Sequence, residues 1–107
     1  MQNLKNRGLI MLNNKQIKYL RSLANPIEAK YQIGKNEISK QTISMLDQAL
    51  TAHELIKVSL QKSVMEDKNE IASILEEELH CEVVQIIGGV IILFRKNLKD
   101  GKIHLPR

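Results

Sequence analysis

Several things are scarce in this chain, and each shortage narrows what it can be. One cysteine, Cys81, stands among 107 residues. No disulfide can therefore form within one copy, which suits a reducing compartment. Its neighbour His80 stands alone beside it, without the paired Cys/His spacing of a zinc site. There is no tryptophan, and Tyr19, Tyr31 and Phe94 are the only aromatics. So few rings cannot form the sheet-surface pair on which some RNA modules stack unpaired bases. The longest apolar run is 90–94, far short of the roughly 20 residues that span a bilayer, and no secretory signal is present. A P-loop, a dinucleotide fingerprint and a nucleophile elbow are all missing. The expectation is a cytoplasmic protein that is not an enzyme and has no cofactor, metal site, membrane contact or small-molecule substrate.

What is present is an aliphatic core in the making. Apolar residues make up 43% of the chain, enough for one modest domain at this length. Residues 1–10, MQNLKNRGLI, lack a clear period, and Met11 directly precedes a good helix start. They read as a disordered leader or non-native extension, with a single domain over 11–107. Charge is unevenly spread. Residues 1–40 carry eight Lys/Arg against two Asp/Glu, net +6; residues 41–94 carry three against nine, net −6. Residues 95–107 carry five against one, net +4. Basic ends flanking an acidic middle suit a polyanion-binding face if the fold brings the ends together. An ordinary solvated surface accounts for the same asymmetry.

Periodicity supplies the elements. A helix over 14–24, capped by Asn13 or Asn14 and ended by Asn25-Pro26, places Ile17, Leu20, Leu23 and Ala24 on one face. Lys15, Lys18 and Arg21 take the opposite arc. A short strand over 29–33 leads into the turn Gly34-Lys35-Asn36-Glu37. A second helix over 39–52 starts at the capping residue Ser39 and buries Ile43, Leu46, Ala49 and Leu50. His53, on the edge of that arc, suits helix-end packing or capping better than ligation. Residues 55–60 alternate as a half-buried strand. Asp67 with Glu70 resembles a capping box for a third helix ending near Leu79, with Glu78 falling inside its apolar arc. Strands over 82–87 and 90–94 flank the hairpin pair Gly88-Gly89, and Asp100-Gly101 turns into an extended tail closed by Pro106. The α-β-α-β-α-β-β order implies a two-layer α/β sandwich with a mixed four-stranded sheet. Strand 90–94, apolar on both faces, belongs in its interior.

Three features point towards nucleic acid. The first is the glycine turn Gly34-Lys35-Asn36 against a helix N-terminus, a place where phosphate can sit. The second is the basic arc Lys15, Lys18 and Arg21, and the third is the basic C-terminal end with Arg95 and Lys96. With so few aromatics, backbone and shape recognition of folded RNA fits better than base stacking. A protein–protein adaptor is the alternative from another class. It would dock on a ribosomal protein or assembly factor through the acidic outer face of the third helix or an exposed sheet edge.

The ordered motifs resemble the single-domain bacterial CRM proteins of the YhbY type (chloroplast RNA splicing and ribosome maturation). The resemblance is carried by Leu20-Arg21-Ser22-Leu23-Ala24-Asn25-Pro26, by Ile33-Gly34-Lys35-Asn36, and by His53-Glu54-Leu55-Ile56-Lys57-Val58. Val84-Gln85-Ile86-Ile87-Gly88, Ile92-Leu93-Phe94-Arg95 and Ile103-His104-Leu105-Pro106-Arg107 complete it, in family order over 12–107. It implies a fold like the C-terminal domain of a bacterial translation initiation factor, with sheet order 1-2-4-3. It also implies binding of ribosomal RNA in precursor large subunits and a part in ribosome assembly; the chain is expected to be a monomer. A GxxG-like loop lies against the RNA backbone in that family. Gly34 matches its first glycine, Lys35 and Asn36 its middle residues, and Glu37 stands at the second glycine. That glutamate adds negative charge and removes backbone freedom, which moves weight onto the flanking lysines and arginines.

Overall fold

In the computed structural model, residues 12–34 and 38–107 are described. The expected leader, residues 1–10, and Lys35, Asn36 and Glu37 of the expected loop lie outside them. Helix α1 (Asn14–Ala24) opens on a capping box: the Asn13 side chain accepts from the Gln16 N–H at 2.8 Å, and the Gln16 side chain accepts from the Asn13 N–H at 3.0 Å. Strand β1 (Tyr31–Ile33) is shorter than the 29–33 expected, because only Tyr31, Gln32 and Ile33 have partners in β2 (Leu55–Leu60). Helix α2 (Lys40–His53) is capped by Ser39, which accepts from the Thr42 N–H at 3.2 Å. Helix α3 (Lys68–Leu79) leads to β3 (Glu82–Ile87), and a hairpin with Gly88 at φ +54° leads to β4 (Val90–Phe94).

One expected cap is absent. Asp67 makes no side-chain hydrogen bond at the start of α3. A 3₁₀ turn over Lys62–Asp67 precedes the helix, and its Met65 carbonyl accepts the Lys68 N–H. The helix is entered from a turn already wound, so a backbone carbonyl takes the role expected of the carboxylate.

The sheet order is β1-β2-β4-β3. Strands β1 and β2 are parallel, and β4 runs antiparallel to both β2 and β3. The architecture is α/β with a mixed four-stranded sheet, as expected, and the sheet divides the core in two. Towards α2 and α3 lie Leu46, Leu50, Val58, Leu75, Ile91 and Leu93, all fully or almost fully buried. Towards α1 lie Leu20, Ala24, Leu55, Val84, Ile92 and Phe94. Helices α2 and α3 form the main layer, and α1 covers part of the opposite face. Strand β4 is apolar throughout because both of its faces are covered. A register shift between Val83 and Gln85 leaves Val84 as an extra residue. This bulge lets Val84 bury towards α1 while Val83 and Ile86 both pack towards α2 and α3.

Glu54 joins these parts. It is the one buried charged residue among those described, 1% exposed, and follows α2 at φ +64°. Glycine is the usual residue where a helix ends with positive φ, and a side chain there costs about 1–3 kcal/mol. The Glu54 carboxylate offsets that cost. One oxygen accepts the Asn97 N–H at 2.7 Å, and the other accepts the N–H groups of Lys102 (2.7 Å) and Ile103 (2.8 Å). Its own N–H donates to Leu50 O and its carbonyl accepts the Arg95 N–H, both at 2.8 Å. The tail is thereby laid over the α1-side core, where Ile103 and Leu105 pack and where the Gln16 side chain donates to Pro106 O at 2.8 Å.

Burial alone would raise the Glu54 carboxyl, but the N–H groups of Asn97, Ile103 and Lys102 and the nearby Lys96 ammonium outweigh it. The net shift is downward from the ordinary 4.5. A depressed folded-state pKa means that the stabilisation is fully present above pH 4.5 and is lost as pH falls through the lower folded value. Glu54→Gln should cost about 2–4 kcal/mol of unfolding free energy at pH 7. Urea denaturation at pH 7 and pH 3 should show that gap shrinking at the lower pH. A gap of constant size would contradict the charge assignment.

Candidate nucleic-acid interface

The basic arc of α1 is where the sequence places it. Leu20 and Ala24 are fully buried under the helix, and Lys15, Lys18 and Arg21 are all exposed on its outer side. Tyr19, 38% exposed, shares that surface. The structure adds two lysines that sequence reasoning did not single out. Tyr31 and Ile33 face α2 and α3, as do Ile56, Val58 and Leu60. Gln32, Lys57 and Ser59 therefore point to the α1 side. Tyr31 pairs with Val58 and Gln32 with Ser59; Lys30, just before β1, and Lys57 line the same cleft.

Helix α1 packs mainly on β2, β3 and β4 and leaves this strip at the β1 edge open. Lys30 and Gln32 are exposed, and Lys57 and Ser59 are half-buried. The end of α1 adjoins the strip, since Lys57 Nζ donates to Asn25 O at 3.4 Å. Between them lies an open cleft of about 350 Å³, with Leu23, Ile27 and Leu55 on its apolar side and Lys30, His53 and Lys57 among its polar groups. His53 ends α2 exposed to solvent. The signal for the two lysines was the strand alternation itself. The missing knowledge was which sheet face α1 leaves uncovered.

The loop gives a different picture from the one expected at Gly34. This glycine is buried at the end of β1 and does not take positive φ. A Cβ there would meet the carboxamide end of the exposed Gln61 side chain, which can swing aside; the Gln61 N–H donates to Ile33 O at 2.9 Å. Ser39 caps α2 as expected, so a helix N-terminus does face this end of the sheet. Lys35 and Asn36 are outside the described residues, so their reach towards a phosphate stays an expectation. Asp67 and Glu70 line the same hollow as Gly34.

Arg95 and Lys96 are engaged within the fold. Arg95 Nη1 donates to Asp47 Oδ1 at 2.7 Å and Leu79 O at 2.9 Å; Nη2 donates to Asp47 O and Thr51 Oγ1, each at 2.9 Å. One guanidinium thus ties β4 to both α2 and α3, and it meets a carbonyl at the C-terminal end of α3, where positive charge is favoured. Lys96 Nζ donates to Ile103 O at 2.6 Å and lies 3.9 Å from Glu54 Oε2. The basic C-terminal end therefore fastens the tail, and its two expected contact residues already have partners.

Among the described residues, no group of three or more His, Cys, Asp and Glu lies together to hold a metal ion. Cys81 is a core residue whose thiol is pushed up to about 12 by burial, assisted by the Glu76 carboxylate. It is a poor nucleophile in that state. His80 caps α3 in the left-handed conformation and is exposed. No described helix is long and apolar enough to cross a membrane.

Comparison with known proteins agrees with this architecture. The CRS1 / YhbY (CRM) domain family model matches residues 12–95. The Probable RNA-binding protein YqeI of Bacillus subtilis is 38% identical over 96 residues, 90% of this chain and 100% of that protein. A protein of Haemophilus influenzae named RNA-binding protein is 32% identical, over 90% of this chain and 96% of its own length. The solution structure of the hypothetical protein SAV1595 from Staphylococcus aureus superposes with a TM-score of 0.76 at 42% identity, covering 90% of this chain and 100% of that one. With the matched segment running from the residue before the α1 capping box to Arg95, the chain belongs to the CRS1 / YhbY (CRM) domain family.

Proposed function

We propose that this protein binds RNA by its phosphate backbone. The binding face would be built from the outer side of α1 and the adjoining strip of β1 and β2. The observation that carries the reading is that Lys30 and Lys57 line one cleft beside a helix whose Lys15, Lys18 and Arg21 are all exposed. Two elements far apart in the sequence thereby contribute to one basic surface. Membership in a family whose relatives are named for RNA binding supports it. The bound RNA would be ribosomal RNA in precursors of the large subunit, and the protein would act there as a cytoplasmic, non-enzymatic monomer in ribosome assembly. The loop at Gly34, Lys35 and Asn36 would touch phosphate at one border of this face. Arg95 and Lys96 would serve the fold, not the contact.

Phosphate contacts release counterions, so affinity should fall steeply with salt. Replacing Lys18 and Arg21 together by Gln should weaken binding to a ribosomal RNA fragment about tenfold at 150 mM salt and reduce the salt slope by roughly 1.5. Lys30→Gln with Lys57→Gln should act similarly. Arg95→Gln should instead lower unfolding stability by about 2 kcal/mol and leave the slope unchanged. Filter binding across a salt series, paired with urea melts, separates the two classes. Unchanged slopes in both lysine/arginine double variants would sink the proposed face.

A further inference from the structure

The face opposite the basic one has its own character. Helices α2 and α3 flank a hollow of about 560 Å³, and a second of about 380 Å³, between the end of β1, the 3₁₀ turn and α3, adjoins it; the two share Ile38 and Ile74. Ile38, Ile43 and Ile74 are only half-buried there, so the groove has aliphatic walls open to solvent. Asp67 and Glu70 border one end, and Asp47 and Glu78 border the other. Asp47 is paired with Arg95. Among the described residues, Asp67, Glu70 and Glu78 are exposed and in no ion pair. Lys40 is the single cation in the lining among the described residues. From Asp67 to Glu78 the groove runs about 16 Å, or three helical turns. Glu78, out of place on the apolar arc as read from sequence, here becomes a charged rim beside Ile74.

From this geometry we infer that the α2–α3 groove docks a short cationic amphipathic helix of a second protein. Its aliphatic side would lie on Ile38, Ile43 and Ile74, with its lysines or arginines against Asp67, Glu70 and Glu78. Helix-in-groove recognition uses anchors at i, i+4 and i+7, which three turns can present. The carboxylate rim repels phosphate, so RNA is the wrong occupant. A second copy of this chain is also poorly suited, because the apolar side of its own cationic helix, Leu20 and Ala24, is already fully buried. The inference meets the RNA reading only at Gly34, which lines one end of the groove and begins the loop proposed to touch phosphate; the rest of the groove lies on the other face of the sheet. The two together would let one domain hold RNA and protein on opposite sides.

The test uses the full chain with isoleucine methyls labelled for NMR. The probe is a fluorescein-tagged helical peptide of roughly 14 residues, with leucine at i, i+4 and i+7 and lysines flanking them. Micromolar binding that shifts the Ile38, Ile43 and Ile74 methyls is expected. It should weaken at least tenfold in Glu70→Lys/Glu78→Lys, whose changes are exposed and whose fold is checked by its amide spectrum. A peptide with glutamates in place of the lysines should not bind, and RNA affinity should be undiminished in the double variant. Equal affinity in the double variant, or peptide shifts confined to α1, would overturn the inference. So would movement of the Ile43 and Ile74 methyls by an RNA hairpin, or self-association that Glu70→Lys/Glu78→Lys abolishes.

Discussion

The Glu54 carboxylate, buried with three backbone N–H groups directed at it, is the interaction on which the arrangement of this domain depends. A helix must end, a strand must begin at the next residue, and the chain terminus must be pinned over the same spot. One residue in a strained backbone conformation performs all three tasks. A glycine there would relax the backbone and leave three N–H donors without their acceptor. Arg95 completes the junction: its N–H meets Glu54 O while its guanidinium holds α2 and α3. The helices on one face and the tail on the other are thus referred to one point at the edge of β4. With the tail held there, the α1-side core closes and α1 is fixed with its basic side outward.

That division organises the surface as well. The α1 face carries Lys15, Lys18, Arg21, Lys30 and Lys57, and the α2–α3 face carries Asp67, Glu70 and Glu78 beside half-buried isoleucines. The uneven charge along the chain, basic at the start and acidic in the middle, becomes two faces because the sheet stands between α1 and the other helices. A polyanion approaching such a molecule is steered to one side of it. Proposed RNA contact on one face and proposed protein docking on the other are separate claims, but both follow from this separation.

Much of the fold was legible in the sequence. Asn13 and Asn25-Pro26 bounded α1 correctly, and alternation gave β2 its observed limits. Gly88-Gly89 marked the hairpin, and a strand apolar on both faces belonged at the centre. Short features escaped. The 3₁₀ turn over Lys62–Asp67 has one buried side chain, Val64, too few to set a period. The bulge at Val84 shows only once both core faces are known. At the site, the α1 arc was readable from helical spacing, whereas Lys30 and Lys57 looked like ordinary outward strand residues. Arg95 and Lys96 counted as free charge because their partners, Asp47, Leu79 and Ile103, are distant or near in ways that only the fold decides. Glu54 sat inside a motif that carried the family resemblance, and its bond to Ile103 explains physically why that motif and the tail motif go together.

The central claim is that RNA lies on the α1 face. Ultraviolet crosslinking in cells, with identification of both the attached peptide and the attached RNA, tests it most directly. The account predicts crosslinks within 15–32 and around Lys57, joined to large-subunit ribosomal RNA. Crosslinks concentrated on α3, or RNA reads spread over messenger RNA, would contradict it.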